Sequence, residues 1–162
     1  MRLSTKGRYA VMAMVDLAMH SEGKPIALAA IADRQDISLS YLEQLFARLK
    51  RSALVKSVRG PGGGYMLARG ADGTRISDII LAVDEPIRAT RCDPQSPHGC
   101  TKNKMRCVTH DLWAELSNQI HLFLSSVTLA DVCENRVLGA SGRLYGRAGG
   151  DRDALPTASA AE

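Results

Sequence analysis

Large aromatic side chains are almost missing from this chain: it has two phenylalanines and one tryptophan among 162 residues. The core therefore falls to Leu, Ile, Val, Ala and Met, a set that favours packed helices over a β-sandwich. No run of about 18 apolar residues occurs, so no transmembrane helix is expected. Nor does the start read as a secretory signal, because Lys6, Arg8 and Asp16 interrupt the apolar stretch around them. The expected compartment is the cytoplasm, with no membrane partner. Cysteine is scarce too, four in all, yet Cys92, Cys100 and Cys107 share one stretch, 92–110. Where thiols stay reduced, such a group is metal-binding or catalytic rather than disulfide-bonded.

Charge is unevenly placed. Residues 1–91 carry 14 Lys and Arg against 9 Asp and Glu, whereas residues 92–162 carry 7 against 8. A basic first half suits a polyanion, although a solvated basic face is the plainer reading of charge alone. Length and composition fit one domain with an appended element.

Apolar residues at three- and four-residue steps, among them Tyr9, Met12, Ala13 and Leu17, predict a helix over 5–20 that stops at Gly23. A second helix is expected over 27–35, a turn at Asp36-Ile37-Ser38, and a third helix over about 39–51. On that third helix Leu42, Leu45, Phe46 and Leu49 share the inner face, and Ser40, Glu43, Gln44 and Ala47 the outer one. Ser40 and Glu43 also fit a capping box, so the start lies at Ser38 or Ser40. Two short helices joined by a tight turn match a helix-turn-helix, whose second member enters the major groove. Gln44 suits adenine and Glu43 suits cytosine N4. On these two helices alone, an ordinary helical hairpin with a polar outer face fits as well.

The next stretch tips the balance. Leu54–Arg59 alternates like a strand, Gly60-Pro61-Gly62-Gly63-Gly64 is a turn, and Tyr65–Ala68 is a return strand. A hairpin directly after a recognition helix is a wing. Its glycines, Gly60 and Gly62 among them, admit close backbone approach, and Arg59 at the tip suits a narrow minor groove. Arg48, Lys50, Arg51 and Lys56 are placed for phosphates. A plain hairpin with a flexible tip is the bland alternative. A nucleotide-cradling loop is disfavoured because no Gly-Lys-Ser/Thr ending follows. Ser77 is expected to cap a short helix that Asp84-Glu85-Pro86 closes.

Between Cys92 and Cys107 there is almost nothing apolar to bury, and Pro94, Pro97 and Gly99 argue against regular structure. Such a loop needs something other than a hydrophobic core to order it. Three thiolates and an imidazole on a metal or cluster would do so, and the set suits iron–sulfur or zinc. The spacing is poor for structural zinc, which favours Cys-x2-Cys pairs. Within this stretch His110 and His98 compete as the imidazole donor, and an ordinary surface histidine beside merely reactive cysteines is the plain alternative. Cys107 with His110 also forms a formal catalytic dyad. No orienting third group is readable and a wing has no use there, so no enzyme activity is expected.

Leu112, Leu116, Ile120, Phe123, Leu124 and Val127 line a helix expected over 108–127, roughly 30 Å long. Either it folds back on its own head or it pairs with a second copy about a two-fold axis, which would set two recognition helices about one DNA turn apart. Thr128–Asp131 begins a last short helix holding Cys133, whose default reading is a buried structural thiol. Beyond Gly139 the composition predicts a disordered tail.

Met1–Val11, Ile37–Phe46, Val58–Tyr65 and Ala89–Cys92 together resemble the IscR-type iron–sulfur cluster regulators, a winged-helix family, over residues 1 to about 143. The resemblance implies a mainly helical fold with a small β-wing. It implies a bacterial, homodimeric transcription factor on a double-stranded DNA operator. It also implies a 2Fe-2S cluster on Cys92, Cys100, Cys107 and His110, delivered by an iron–sulfur assembly scaffold. In such proteins the loaded form represses cluster-assembly genes and the empty form still acts at other sites. Related regulators hold a 4Fe-4S cluster instead. The expected segments are a winged helix-turn-helix head over 1–84, a cluster loop over 85–110, a dimerisation helix with its following short helix over 111–138, and a tail over 139–162. DNA contacts are expected from Ser40, Glu43, Gln44, Arg59, Gly60 and Gly62. Glu43 is expected to act as a filter, since a carboxylate in an anionic groove is repulsive unless it meets a donor.

Overall fold

The computed structural model describes residues 4–90, 99–101, 103 and 105–137. Cys92 and His98, and the tail expected over 139–162, lie outside them. Six helices and one hairpin follow in the order α1 (Thr5–His20), α2 (Leu28–Gln35), α3 (Leu39–Arg51), β1 (Val55–Val58), β2 (Gly64–Leu67), α4 (Ile76–Ala82), α5 (His110–Ser126) and α6 (Leu129–Cys133). The fold is mainly helical with a small antiparallel wing, as expected.

Helix α1 is the central post. Ser4 caps it, its hydroxyl accepting from the Lys6 N–H at 3.2 Å. Ala10, Ala13, Met14 and Leu17 are fully buried beneath α2, α3, α4 and α6. Small residues at 10 and 13 let the neighbours come close. The one charged residue in this interior is Asp16, 2% exposed. Its carboxylate accepts from Arg34 Nη2 at 2.6 Å, Arg34 Nε at 3.0 Å and Gln35 Nε2 at 2.8 Å. Burial pushes this carboxyl up, but the bonds from Arg34 and Gln35 and the Arg34 charge outweigh it and hold the group below its ordinary value. The cluster fastens α2, the first helix of the helix-turn-helix, to the post. The turn into α3 passes through Asp36 in the left-handed region at φ 51°.

Two expected caps do not form. Helix α4 takes Arg75 as its N-cap, with Ser77 buried inside the helix. Its first amide is satisfied from afar, Ile76 N–H donating to the Val127 carbonyl at 3.0 Å, while Leu129 N–H donates to the Thr74 carbonyl at 2.8 Å. That backbone bridge fixes the start of the helix one residue before the serine. Helix α3 starts from Ser38 rather than Ser40, without a side-chain cap bond. The capping box that does form is Thr128–Asp131 at the head of α6.

The hairpin pairs Val55 with Leu67 through Val58 with Gly64. A third, single-residue strand joins it: Ile26 and Tyr65 exchange backbone bonds at 2.9 and 2.8 Å. A Cβ on Gly64 would collide with the Ile26 carbonyl and the Ala27 nitrogen, so close approach demands glycine there. Tyr65 meets Phe46 of α3 edge-on at 4.9 Å between ring centroids.

Helix α5 begins at His110, two residues later than expected, because the His110 N–H first closes a turn onto the Cys107 carbonyl at 2.9 Å. Its far end rejoins the head, with Val127 and Leu129 in the same core as α1. Its outer stripe is bare: Leu112, Leu122 and Phe123 are 61%, 60% and 54% exposed.

Candidate metal centre and nucleic-acid face

On α3 the inward set Leu42, Leu45, Phe46 and Leu49 is buried, and Ser40, Glu43 and Gln44 stand exposed on the opposite face. The buried set holds the helix by its back, so its polar front is free for a groove. The last turn carries Arg48, Lys50 and Arg51. Two of these basic groups are engaged within the chain: Lys50 Nζ donates to Ser57 Oγ at 2.7 Å, and Arg48 is ion-paired with Asp84. The wing tip follows from backbone geometry. Gly60 and Gly62 take φ of +104° and +74°, and the Gly63 N–H closes the turn onto the Gly60 carbonyl at 2.9 Å. Arg59 stands exposed at the strand end. Helix front and wing tip together present one basic, polar surface, as a winged helix-turn-helix requires.

The second constellation forms where the chain enters α5. Cys100, Cys107 and His110 bring one ligand atom each to within 4.8 Å of one another. Local bonding explains the convergence. Thr101 pins the loop, its N–H and hydroxyl both donating to the Met105 carbonyl at 3.1 and 2.9 Å. The chain then doubles back, and the Cys107 N–H reaches Cys100 Sγ at 2.9 Å. His110 Nδ1 lies 3.5 Å from the same sulfur.

His110 is 4% exposed, and its Nε2 has no hydrogen-bond partner. A buried ring nitrogen without a partner is costly. A metal or cluster held through Nε2 would relieve that cost, with Nδ1 left to the neighbouring sulfur. Two sulfurs and an imidazole also match the donor preferences of iron–sulfur and zinc centres. The residues present therefore fit such a group. Cys133 lies apart, half-buried against the core, and burial pushes its thiol up.

Three contributors were not readable in the sequence. Ile26 braces the wing, but one residue is too short to signal a strand. Asp16 locks α2, and its only sequence trace is its place one turn from Ala13 and beside Leu17. Asp84 takes Arg48, a pairing across 36 positions that no local pattern encodes.

Among the described residues, no helix is long and apolar enough to cross a membrane. Comparison with known proteins points to transcriptional regulators. The family described as Rrf2, iron-dependent transcriptional regulator, matches residues 3–135. The HTH-type transcriptional regulator IscR of Photorhabdus laumondii is 54% identical over 144 residues, spanning 88% of this chain and 86% of that protein. An HTH-type transcriptional regulator of Azotobacter vinelandii is 51% identical over 162 residues, 100% of this chain and 97% of that protein. The solved structure of T. potens IscR superposes with a TM-score of 0.67 at 37% identity, covering 90% of this chain and 96% of that one.

Proposed function

The chain belongs to the Rrf2 family of helix-turn-helix transcriptional regulators, and from that premise we propose that it adjusts transcription to iron–sulfur supply through a 2Fe-2S cluster. Its ligands are Cys92, Cys100, Cys107 and His110. The observation that carries this reading is the meeting of Cys100, Cys107 and His110 within 4.8 Å.

The bound cluster supplies an acid-labile, redox-active centre whose presence reports how well assembly keeps up with demand. The protein's own groups do the rest. The Cys107 amide donates to the Cys100 sulfur and fixes its place beside the imidazole, and burial keeps the His110 ring in one orientation. An imidazole in place of a fourth thiolate removes one negative charge and makes the site sensitive to protons, so the ligand set holds its cargo less firmly than four cysteines would. Ser40, Glu43 and Gln44 read base edges in the major groove, and Arg59, Gly60 and Gly62 follow the minor groove and backbone. Glu43 filters sites by rejecting those that offer its carboxylate no donor.

The bare stripe of Leu112, Leu116, Leu122 and Phe123 on α5 pairs with a second copy, giving a cytoplasmic homodimer with two recognition helices. An assembly scaffold delivers the cluster. The loaded dimer represses assembly genes, and the empty one acts at other sites.

Protein purified without oxygen tests the centre. The expected result is a coloured dimer with about two iron and two sulfide per chain, whose operator preference changes when a chelator strips the iron. A colourless protein holding zinc or no metal refutes the sensor and leaves a generic regulator. Four iron per chain refutes the cluster type alone.

A further inference from the structure

The hinge that leads from α4 into the cysteine loop is tied to the DNA-reading head at one end and to α5 at the other. Asp84, just past α4, takes a left-handed φ of 56°. Its carboxylate is ion-paired with Arg48 of α3, and its carbonyl accepts from Lys6 Nζ at 3.4 Å. Glu85 accepts from the Ser4 N–H at 3.2 Å and the Ser4 hydroxyl at 2.5 Å, which fixes the hinge to the cap of α1. Four residues on, the Ala89 N–H donates to the buried Ser117 Oγ of α5 at 3.0 Å. Residues 84–89 are thus a strap between head and α5, and the chain runs from it towards Cys92.

Arg48 stands one helical turn after Gln44, on the flank of the exposed face of α3. A guanidinium on that flank is placed for a duplex phosphate. The pair with Asp84 turns it inward instead. Arg48 and Asp84 are 34% and 72% exposed, so the pair is wet and is cheaply broken.

We propose that Asp84 is a positioning residue for DNA binding: it competes with duplex phosphate for Arg48, so the strap leading to the cysteine loop governs one phosphate contact per protomer. The inference rests on reading α3 as the recognition helix. A strap drawn towards Ser117 keeps Asp84 on Arg48. A strap displaced from Ser117 releases Arg48 to the phosphate. The contact reads no base, so the effect is uniform across sequences.

The test is the salt dependence of binding by the full chain, with a duplex it selects from a random pool and with a mixed-sequence duplex of the same length. Asp84→Asn is expected to steepen the slope of log K against log salt by about 0.9 per protomer on both duplexes. Between 200 and 50 mM salt, the advantage of that variant over the parent then grows about threefold per Arg48 freed. Asp84→Glu keeps the parent slope. Arg48→Ala keeps the parent slope, and adding Asp84→Asn to it changes nothing further. An Asp84→Asn variant with parent-like circular dichroism and an unchanged slope overturns the proposal. So does an effect of Asp84→Asn that persists without Arg48, which would mark general charge repulsion. If the parent chain binds no duplex, the DNA-binding reading falls and this inference with it. Parent binding with an unmoved slope removes this inference alone.

Discussion

Between residues 5 and 83 the chain buries Met14, Leu17, Ile31, Leu42, Leu45, Phe46, Leu49 and Ile79 almost completely, whereas among the described residues of 99–110 the sole buried one is His110. The first region is ordered by removing apolar surface from water, at about 25 cal/mol per Å2. The second has no such surface, and its contacts are sulfur, imidazole and hydroxyl groups. A region held by packing keeps its shape whatever the iron supply. A region held by ligands has its full order only when they are occupied. On the proposed reading, placing the two in series gives a reading head of constant shape and a loop whose state follows its ligands.

The sharpest way to break that contrast is to remove a ligand. Cys107→Ala is expected to abolish bound iron and sulfide altogether while the head melts within about 1 kcal/mol of the parent, as surface changes away from a core usually do. Iron analysis beside thermal denaturation checks both halves. Co-operative loss of the head would show that the two regions are one unit.

A smaller effect comes from the opposite side. Phe46→Ala removes a fully buried ring packed on Tyr65 and should cost about 3–5 kcal/mol in urea unfolding. Iron per folded chain should not change. Falling iron content in the folded fraction would tie the centre to the core.

Smaller again is Asp16→Asn, expected to cost about 2–4 kcal/mol at neutral pH by leaving Arg34 without its buried partner. The folded-state pKa of Asp16 is depressed. Its contribution is therefore present above the ordinary carboxyl range, near 4, and is lost as pH falls through the folded value. Melting temperature against pH should show a shallower acid limb in Asp16→Asn than in the parent. Parallel curves would mean that the carboxylate does not carry the tie between α1 and α2.

Much of the head was legible from apolar spacing, because packing and periodicity are the same fact seen twice. Helix α3 is the clearest case: Leu42, Leu45, Phe46 and Leu49 went inward as their steps required, which left Ser40, Glu43 and Gln44 outside. The caps were less legible. Ser77 has the right chemistry for an N-cap, but the Ile76 N–H is bonded to the Val127 carbonyl from 51 positions away and the helix starts before the serine. Tertiary backbone pairing overrode a local preference. Ligand types around α5 could be listed from the chain, whereas the meeting of Cys100 with Cys107 depends on the turn that Thr101 closes onto Met105. The expected ligand Cys92 lies outside the described residues, so its place beside the other three rests on the sequence.

The brace between Ile26 and Tyr65 has a mechanical meaning. Wing and recognition helix share Tyr65, which is bonded behind to the linker entering α2 and packed in front on Phe46. The Tyr65 ring meets Phe46 edge-on, so the two groove-reading parts form a caliper with a soldered joint. On the proposal made for Asp84, a change in the strap would swing this caliper whole or retouch single side chains on its jaws. Discrimination between operators is then a matter of aim and of fingertips, not of grip width.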